Sequence, residues 1–198
     1  MTQSIARGRL VVVSGPSGAG KTTVLERVVQ RCPVPLVRSV SATTRPPRPG
    51  EVEGVDYHFL SPVEFQARRE RGEFLECFEV FGRGSWYGTL WSEVTSGLEA
   101  GKWVALNIDV HGAAAVMDRF EDAITIFVRP SSTDELHRRL VGRGTETEEI
   151  IRQRLREADF ELSLAHRYRY QVINDDVDQA VDAVCRILTD QWESSRND

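Results

Sequence analysis

The stretch from Leu10 to Thr23 reads LVVVSGPSGAGKTT. Its first four residues, apolar and mostly β-branched, predict a buried strand, and the polar helix formers that follow Lys21 predict a helix. Between the two, Gly15, Pro16, Ser17, Gly18, Ala19, Gly20, Lys21 and Thr22 satisfy every fixed position of the pattern G-x-x-x-x-G-K-[ST]. A chain that wraps a polyphosphate must aim successive N–H groups inward, and residues with little or no Cβ allow those dihedrals at that distance. The phosphates then rest on a helix N-terminus. Lys21 can reach the β and γ phosphates as a mobile point charge, and the Thr22 hydroxyl is placed to ligate the Mg²⁺ that accompanies a nucleoside triphosphate. A bare match of this kind arises by accident in roughly one chain in a hundred of this length, and the flanking strand and helix lower that further.

Outward from this stretch, the pattern alternates strand and helix. Thr22 to Arg31 reads as a helix stopped by Pro33 and Pro35. Leu36 to Ser41 predicts a short strand. Ala42 to Gly54 (ATTRPPRPGEVEG) has no apolar periodicity and reads as a loop, either a linker or an anion-binding segment in which proline stiffness holds Arg45 and Arg48. Val55 to Leu60 predicts a strand. Ser61, Pro62 and Glu64 open a helix with a capping box, and Gly72 ends it. Glu73 to Phe81 alternates, predicting a strand with Phe74, Glu76, Phe78 and Val80 on one face. Glu76 among those aromatics either sits at a strand edge in water or is there to meet a ligand. Gly82 to Thr89 (GRGSWYGT) reads as a glycine-rich turn, and Trp91 to Ala100 as a helix.

Lys102 to Asp109 predicts another buried strand. Asp109 stands at its carboxyl end, where a parallel sheet meets its ligand, as a metal-facing acid or as a helix N-cap. A helix over Val110 to Phe120, a strand over Ile124 to Val128 and a helix over Ser132 to Val141 follow, then a glycine hinge at Gly142 to Thr145. Ile151, Leu155, Ala158, Leu162 and Ala165 form one apolar stripe, and Val177, Val181, Val184 and Leu188 stripe a last helix after a short strand at Gln171 to Ile173. The fold class predicted is α/β: a parallel sheet flanked by helices, with a β-rich insert between about residues 35 and 92.

Composition sets bounds on partners. With 198 residues, 40% hydrophobic and 28% charged, the chain reads as one globular domain with lobes. A net charge of −5 argues against a general binder of nucleic acid or anionic membrane. Cys32, Cys77 and Cys185 have no metal-ligand spacing and read as reduced thiols, and the four histidines form no ligand cluster. No apolar run reaches the length of a membrane span, and Met1 to Gly8 lacks the apolar segment of a signal peptide, so the expected location is the cytoplasm. The guanine-specifying N-K-x-D motif of GTP-binding switches is absent. A short α/β chain with an inserted lobe rich in Arg, Tyr and Ser, and an Arg-bearing helical excursion after a glycine hinge, has the layout of a nucleoside monophosphate kinase, which must bring cations to a transferring phosphoryl group and exclude water.

SVSATTRPPRPGEVEGVDYHF (Ser39 to Phe59), GRGTETEE (Gly142 to Glu149) and VINDD (Val172 to Asp176), together with GPSGAGKT, resemble the guanylate kinases along nearly the whole chain from Arg9 to Leu188. The resemblance implies the P-loop NTPase core over about residues 9–34, 93–141 and 170–192, a GMP-binding lobe over about 35–92 and a lid over about 142–169. It implies phosphoryl transfer from ATP, with Mg²⁺, to GMP and dGMP in purine nucleotide metabolism. Arg45, Arg48, Tyr57 and Tyr87 would hold the GMP phosphate, arginine suiting that task through its planar fork of donors. Glu76, with Ser41 and Thr89, would read the guanine, Asp109 would lie near Mg²⁺ and GMP, and Asn174 near the adenine. Lys21, Arg45, Arg143 and Arg154, with Arg139 as a further candidate, would neutralise the transferring phosphoryl. The implied partners are nucleotides, with a monomer or homodimer as the assembly. Asn107 replaces the first acid of the family's D-I-D pattern, and the 82–89 loop is about two residues longer than the family's, with Trp86 in place of the first tyrosine. A scaffold-type interaction module would have a degraded phosphate loop, and a sugar-phosphate kinase would have no need of Ser41 and Glu76.

Overall fold

The computed structural model describes residues 8–79, 84–141 and 148–197. The strand β1 (Leu10–Ser14) is the middle of a five-stranded sheet. Its neighbours are β7 (Trp103–Asn107) and β8 (Ile124–Arg129), flanked in turn by β2 (Leu36–Arg38) and β9 (Tyr170–Ile173), in the order β2-β7-β1-β8-β9. Every pairing in it is parallel. A central parallel strand is covered on both faces, which is why β1 is apolar without alternation and buried throughout.

The two faces of β1 belong to two cores. Val11 and Val13 pack against α1 (Lys21–Arg31) and α7 (Val177–Asn197) through Val24, Leu25, Val28, Val181, Val184 and Leu188. Leu10 and Val12 face the opposite layer, built from α3 (Trp91–Glu99), α4 (Val110–Arg119) and the short 3₁₀ turn Ala165–Arg167, through Val94, Val110, Ala113, Val116 and Ala165. Arg27 and Arg31 of α1 reach Asp178 and Asp182 of α7 across the surface of the first layer.

A second sheet, in the order β4-β3-β6-β5, forms the inserted lobe. Its strands are β3 (Ser41–Thr43), β4 (Tyr57–Phe59), β5 (Phe74–Glu79) and β6 (Trp86–Leu90), with α2 (Pro62–Glu70) packed on one face. That face has its own small core of Ala42, Phe65, Phe74 and Leu90, with the Phe65 and Phe74 rings stacked at 4.4 Å. After β8, α5 (Thr133–Val141) meets α6 (Glu148–Ser163) through Leu136, Leu155 and Ala158.

Several boundaries depart from the sequence pattern for identifiable reasons. The expected strand from Leu36 to Ser41 is two strands in different sheets. Ser39 gives both its N–H and its hydroxyl to the Ala105 carbonyl of β7, and the Val40 N–H then turns to the Glu93 carboxylate. The loop expected from Ala42 begins only after β3. Trp86 to Thr89, read as part of a turn, is strand, because it pairs with both β3 and β5. Ser61 caps α2 by accepting from the Glu64 N–H, but the Glu64 side chain pairs with Arg68 instead of closing the capping box. The expected apolar stripe from Ile151 to Ala165 divides: Leu155 and Ala158 of α6 meet α5, while Leu162 of α6 and Ala165 of the 3₁₀ turn join the core under β1, and the Ile151 side chain lies outside the described residues.

Candidate active site

The carboxyl end of β1 opens into the loop Gly15 to Gly20, and Gly15, Gly18 and Gly20 have φ of 140°, 89° and 82°. Two of these glycines are fixed from outside the loop as well. A Cβ on Gly15 would stand 2.0 Å from the Val128 carbonyl oxygen of β8, and one on Gly20 would stand 2.5 Å from Asn174 Nδ2. Asn174, at the end of β9, is buried; its side-chain amide donates to the Ala19 carbonyl at 2.7 Å and its backbone N–H to the Arg129 carbonyl. It therefore braces the loop from beneath. Gly20 caps α1 with no side-chain oxygen, which leaves the first N–H groups of that helix for a ligand. Lys21 folds its Nζ back onto the Gly15 and Pro16 carbonyls, at 2.6 and 3.0 Å, and Asn107 Nδ2 donates to Thr22 Oγ1 at 3.0 Å.

From this loop a cavity of about 470 Å³ extends to the inserted lobe. Lining it are Ser17, Gly18, Gly20, Lys21 and Thr22 from the loop, Ser41, Arg45, Arg48, Tyr57, Glu76 and Tyr87 from the lobe, Asp109 before α4, and Arg154 on α6. Gly15, Pro16 and Ala19 shape the loop without facing the cavity. Thr89 lies buried behind it, paired across the sheet with Ser41 on one side and Glu76 on the other. Arg139 is turned aside to Glu135 and Asp175. Arg143 lies outside the described residues.

In the lobe, Arg45 is held from four sides. Its Nε donates to the Tyr87 hydroxyl at 3.1 Å, its terminal nitrogens reach Glu51 Oε1 at 2.8 Å and the Pro46 carbonyl, and the guanidinium lies 5.4 Å from the Tyr57 ring centroid. Glu51 also accepts the Arg48 N–H at 2.7 Å. Burial opposes its charge, but the bonds from Arg45 and Arg48 outweigh burial and hold its carboxyl below the usual range. Burial raises the Tyr57 phenol. Glu51 is the organiser of this cluster, a role that the sequence analysis does not assign. Its spacing three residues after Arg48 was the available signal.

Glu76 is 8% exposed, and its Oε1 has no hydrogen-bond partner among the described residues. Burial pushes its pKa up to about 7, against an opposing pull from Thr89. Of the two readings open in the sequence, a wet strand edge is the wrong one. The alternation that grouped Phe74 with Glu76 and Phe78 also fails, because β5 carries a bulge: Phe74 pairs with Leu90, and Glu76 already pairs with Thr89. The extra residue, Leu75, joins the large core, and Arg119 pins its carbonyl at 3.1 Å. Phe74 and Cys77 consequently face α2, while Glu76 and Phe78 face the cavity. Val80 lies outside the described residues.

Asp109 is the N-cap of α4, its Oδ1 accepting from the N–H groups of His111 and Gly112 at 2.9 and 2.8 Å. Beside this cap, a Cβ on Gly112 would stand 2.7 Å from Glu76 Oε2. His111 lies between two rings, 6.1 Å from Phe78 and 5.9 Å from Phe160 by centroid, so that β5, α4 and α6 touch through one aromatic row. The sequence also gave no warning of Glu161, which reaches the phosphate loop from α6 and lines the cavity. Burial pushes its carboxyl up to about 7, against the attraction of Lys21.

The family model described as guanylate kinase matches residues 7–191. A guanylate kinase of Rhodopirellula baltica is 56% identical over 189 residues, covering 95% of this chain and 90% of that protein. One from Salinibacter ruber is 51% identical over 174 residues, covering 87% of this chain and 91% of that one. Among solved structures, the guanylate kinase from Anaplasma phagocytophilum superposes with a TM-score of 0.76 at 32% identity, covering 94% of this chain and 87% of that chain.

Proposed function

The chain belongs to the guanylate kinase family, whose reaction is the phosphorylation of GMP by ATP, and from that premise we propose that it transfers the γ-phosphoryl of Mg²⁺-bound ATP to GMP, and to dGMP, by direct in-line displacement. The observation that carries the reading is Glu76, a buried carboxylate with one oxygen unpartnered among the described residues, at one end of a cavity whose other end is a phosphate loop. Guanine offers two adjacent N–H donors, at N1 and N2, that one carboxylate can accept together. Adenine lacks that pair, so AMP would leave the buried oxygen unsatisfied, at a cost of about 1–3 kcal/mol.

The GMP phosphate falls to Arg45, Arg48, Tyr57 and Tyr87. Because Glu51 already aims the Arg45 fork, little ordering is left to do when the phosphate arrives. Ser41 and Thr89 assist at the base. On the other side, the N–H groups from Ser17 to Thr22 receive the triphosphate, and Lys21 exchanges two loop carbonyls for phosphate oxygens. Arg154 brings positive charge from α6, and Arg143 is assigned the same task. The GMP phosphate is already a nucleophilic anion, so the protein has to align two phosphates and neutralise charge, with no covalent intermediate on the enzyme.

The residues present fit Mg²⁺. No group of three or more His, Cys, Asp and Glu among the described residues could hold a metal by itself, and Mg²⁺ in phosphoryl transfer takes most of its oxygens from phosphate and water. Thr22 Oγ1 at the start of α1 is the protein oxygen for it, oriented by the Asn107 amide. Held there, such an ion would supply positive charge that offsets the charge of the phosphates.

A coupled assay of ADP release from Mg²⁺-ATP tests the proposal, with GMP, dGMP, AMP, UMP and CMP offered separately. Turnover confined to the two guanine nucleotides is the expected result. Equal turnover with AMP would remove the role given to Glu76.

A further inference from the structure

Glu161 has no part in the reading above. It is 3% exposed, and its Oε2 accepts the N–H of Ser17, the third residue of the phosphate loop, at 3.3 Å. The groups that face it are Lys21, which attracts it, and Asp109 and Glu157, which repel it. An anionic oxygen on a loop amide beside the loop lysine stands where a phosphate oxygen would stand, since those amides and that lysine are arranged to receive negative charge.

We propose that Glu161 is a resident anion of the phosphate loop, which the terminal phosphates of the nucleoside triphosphate must displace. The inference rests on the loop being the ATP site. Two anions cannot share the Ser17 N–H and the Lys21 ammonium at low cost, because like charges in a partly desolvated cleft repel by an amount that water at the surface would screen. The triphosphate therefore binds against the free energy already invested in the Glu161 contact. The loop, in turn, keeps its shape between turnovers because an internal group occupies one of its amides. Glu161 is also seven residues after Arg154, two helical turns along, and both line the cavity, so α6 presents an anion and a cation to the same space.

The test is calorimetric titration of the wild type, Glu161→Gln and Glu161→Asp with a Mg²⁺-bound, non-hydrolysable ATP analogue, and separately with GMP, at about pH 8, above the value of about 7 to which burial pushes the Glu161 carboxyl, so that the wild-type group is ionised. Glu161→Gln keeps the shape and an acceptor oxygen but removes the charge. It is expected to bind the ATP analogue roughly tenfold more tightly than the wild type, with GMP affinity unchanged. Glu161→Asp keeps the charge and is expected to stay within about twofold of the wild type. Analogue binding by Glu161→Gln that is unchanged or weaker would overturn the inference, as would an equal gain in Glu161→Asp, which would assign the effect to packing. Failure of the wild type to bind the analogue at all would refute the ATP site itself, and is seen before any variant is made.

Discussion

Glu76 and Gly112 show how closely the base-reading end of the cavity is set. Removing the charge in Glu76→Gln gives guanine one acceptor and one opposed donor in place of two acceptors. The GMP kcat/KM is expected to fall by about a hundredfold, with AMP gaining relative to GMP, in steady-state assays with both substrates. Guanine donors favour the ionised carboxylate, whose pKa in the ligand-free protein is about 7. GMP affinity in the wild type should therefore weaken as the pH is lowered through 7, and Glu76→Gln should lose that dependence. Gly112→Ala separates stability from recognition. Alanine favours the helix by roughly 0.5–1 kcal/mol, yet its Cβ would crowd Glu76 Oε2 at 2.7 Å. The expected outcome is a melting temperature close to wild type with a GMP KM raised roughly tenfold. At this scale the sequence was legible wherever the local chain makes its own site, as in Gly15 to Thr22. Glu51, Gly112 and Glu161 were not, because each takes its role from a group on another element.

Secondary structure was legible where one period ran unbroken. β1, β7 and β8 follow from their apolar runs, and α7 from its stripe of Val181, Val184 and Leu188. The inserted lobe was harder because its strands are short and one is bulged. The pattern of β5 is shared among the small core, the large core and the cavity, and one inserted residue, Leu75, moves Glu76 from the face of Phe74 to the other. Asp109 sits at a similar junction, where a strand end is also a helix start. With its Oδ1 accepting two N–H groups of α4, Asp109→Ala is expected to cost about 1 kcal/mol of stability in denaturant unfolding, and Asp109→Asn to restore most of it. Equal losses in both variants would count against the cap as the source.

Across the whole molecule, two buried carboxylates set a pH dependence of their own. Glu76 and Glu161 have folded pKa values of about 7, against 4.5 for an ordinary glutamate. Below about 4.5 both the folded and unfolded chains hold these protons, and the full stability is present. Between about 4.5 and 7 the unfolded chain has released them and the folded chain has not, so stability falls as the pH rises. Each unit of difference is worth about 1.4 kcal/mol per group. Glu51 and Glu53, whose carboxyls are lowered, act in the opposite sense and at more acidic pH. Thermal melts of the ligand-free protein between about pH 5 and 7 should thus show a decline that is flattened in the Glu76→Gln Glu161→Gln double variant; parallel curves would contradict it. The alternation of strand and helix made the large sheet readable at this scale. The contact of the three bodies through Phe78, His111 and Phe160 was not, since rings 33 and 49 residues apart leave no periodic trace.

The bond from Asn174 to Ala19 spans 155 residues of chain, and β1 meets its first sheet neighbour only at Leu10 with Val104. A ribosome delivers these parts from the N-terminus onward. The segment that carries the oldest residues of the nucleotide site is therefore among the last to be set, waiting through most of synthesis for partners not yet made. Nucleotide can stabilise only the nearly finished molecule, and a chain released short of Asn174 would keep its glycine loop without the brace that shapes it.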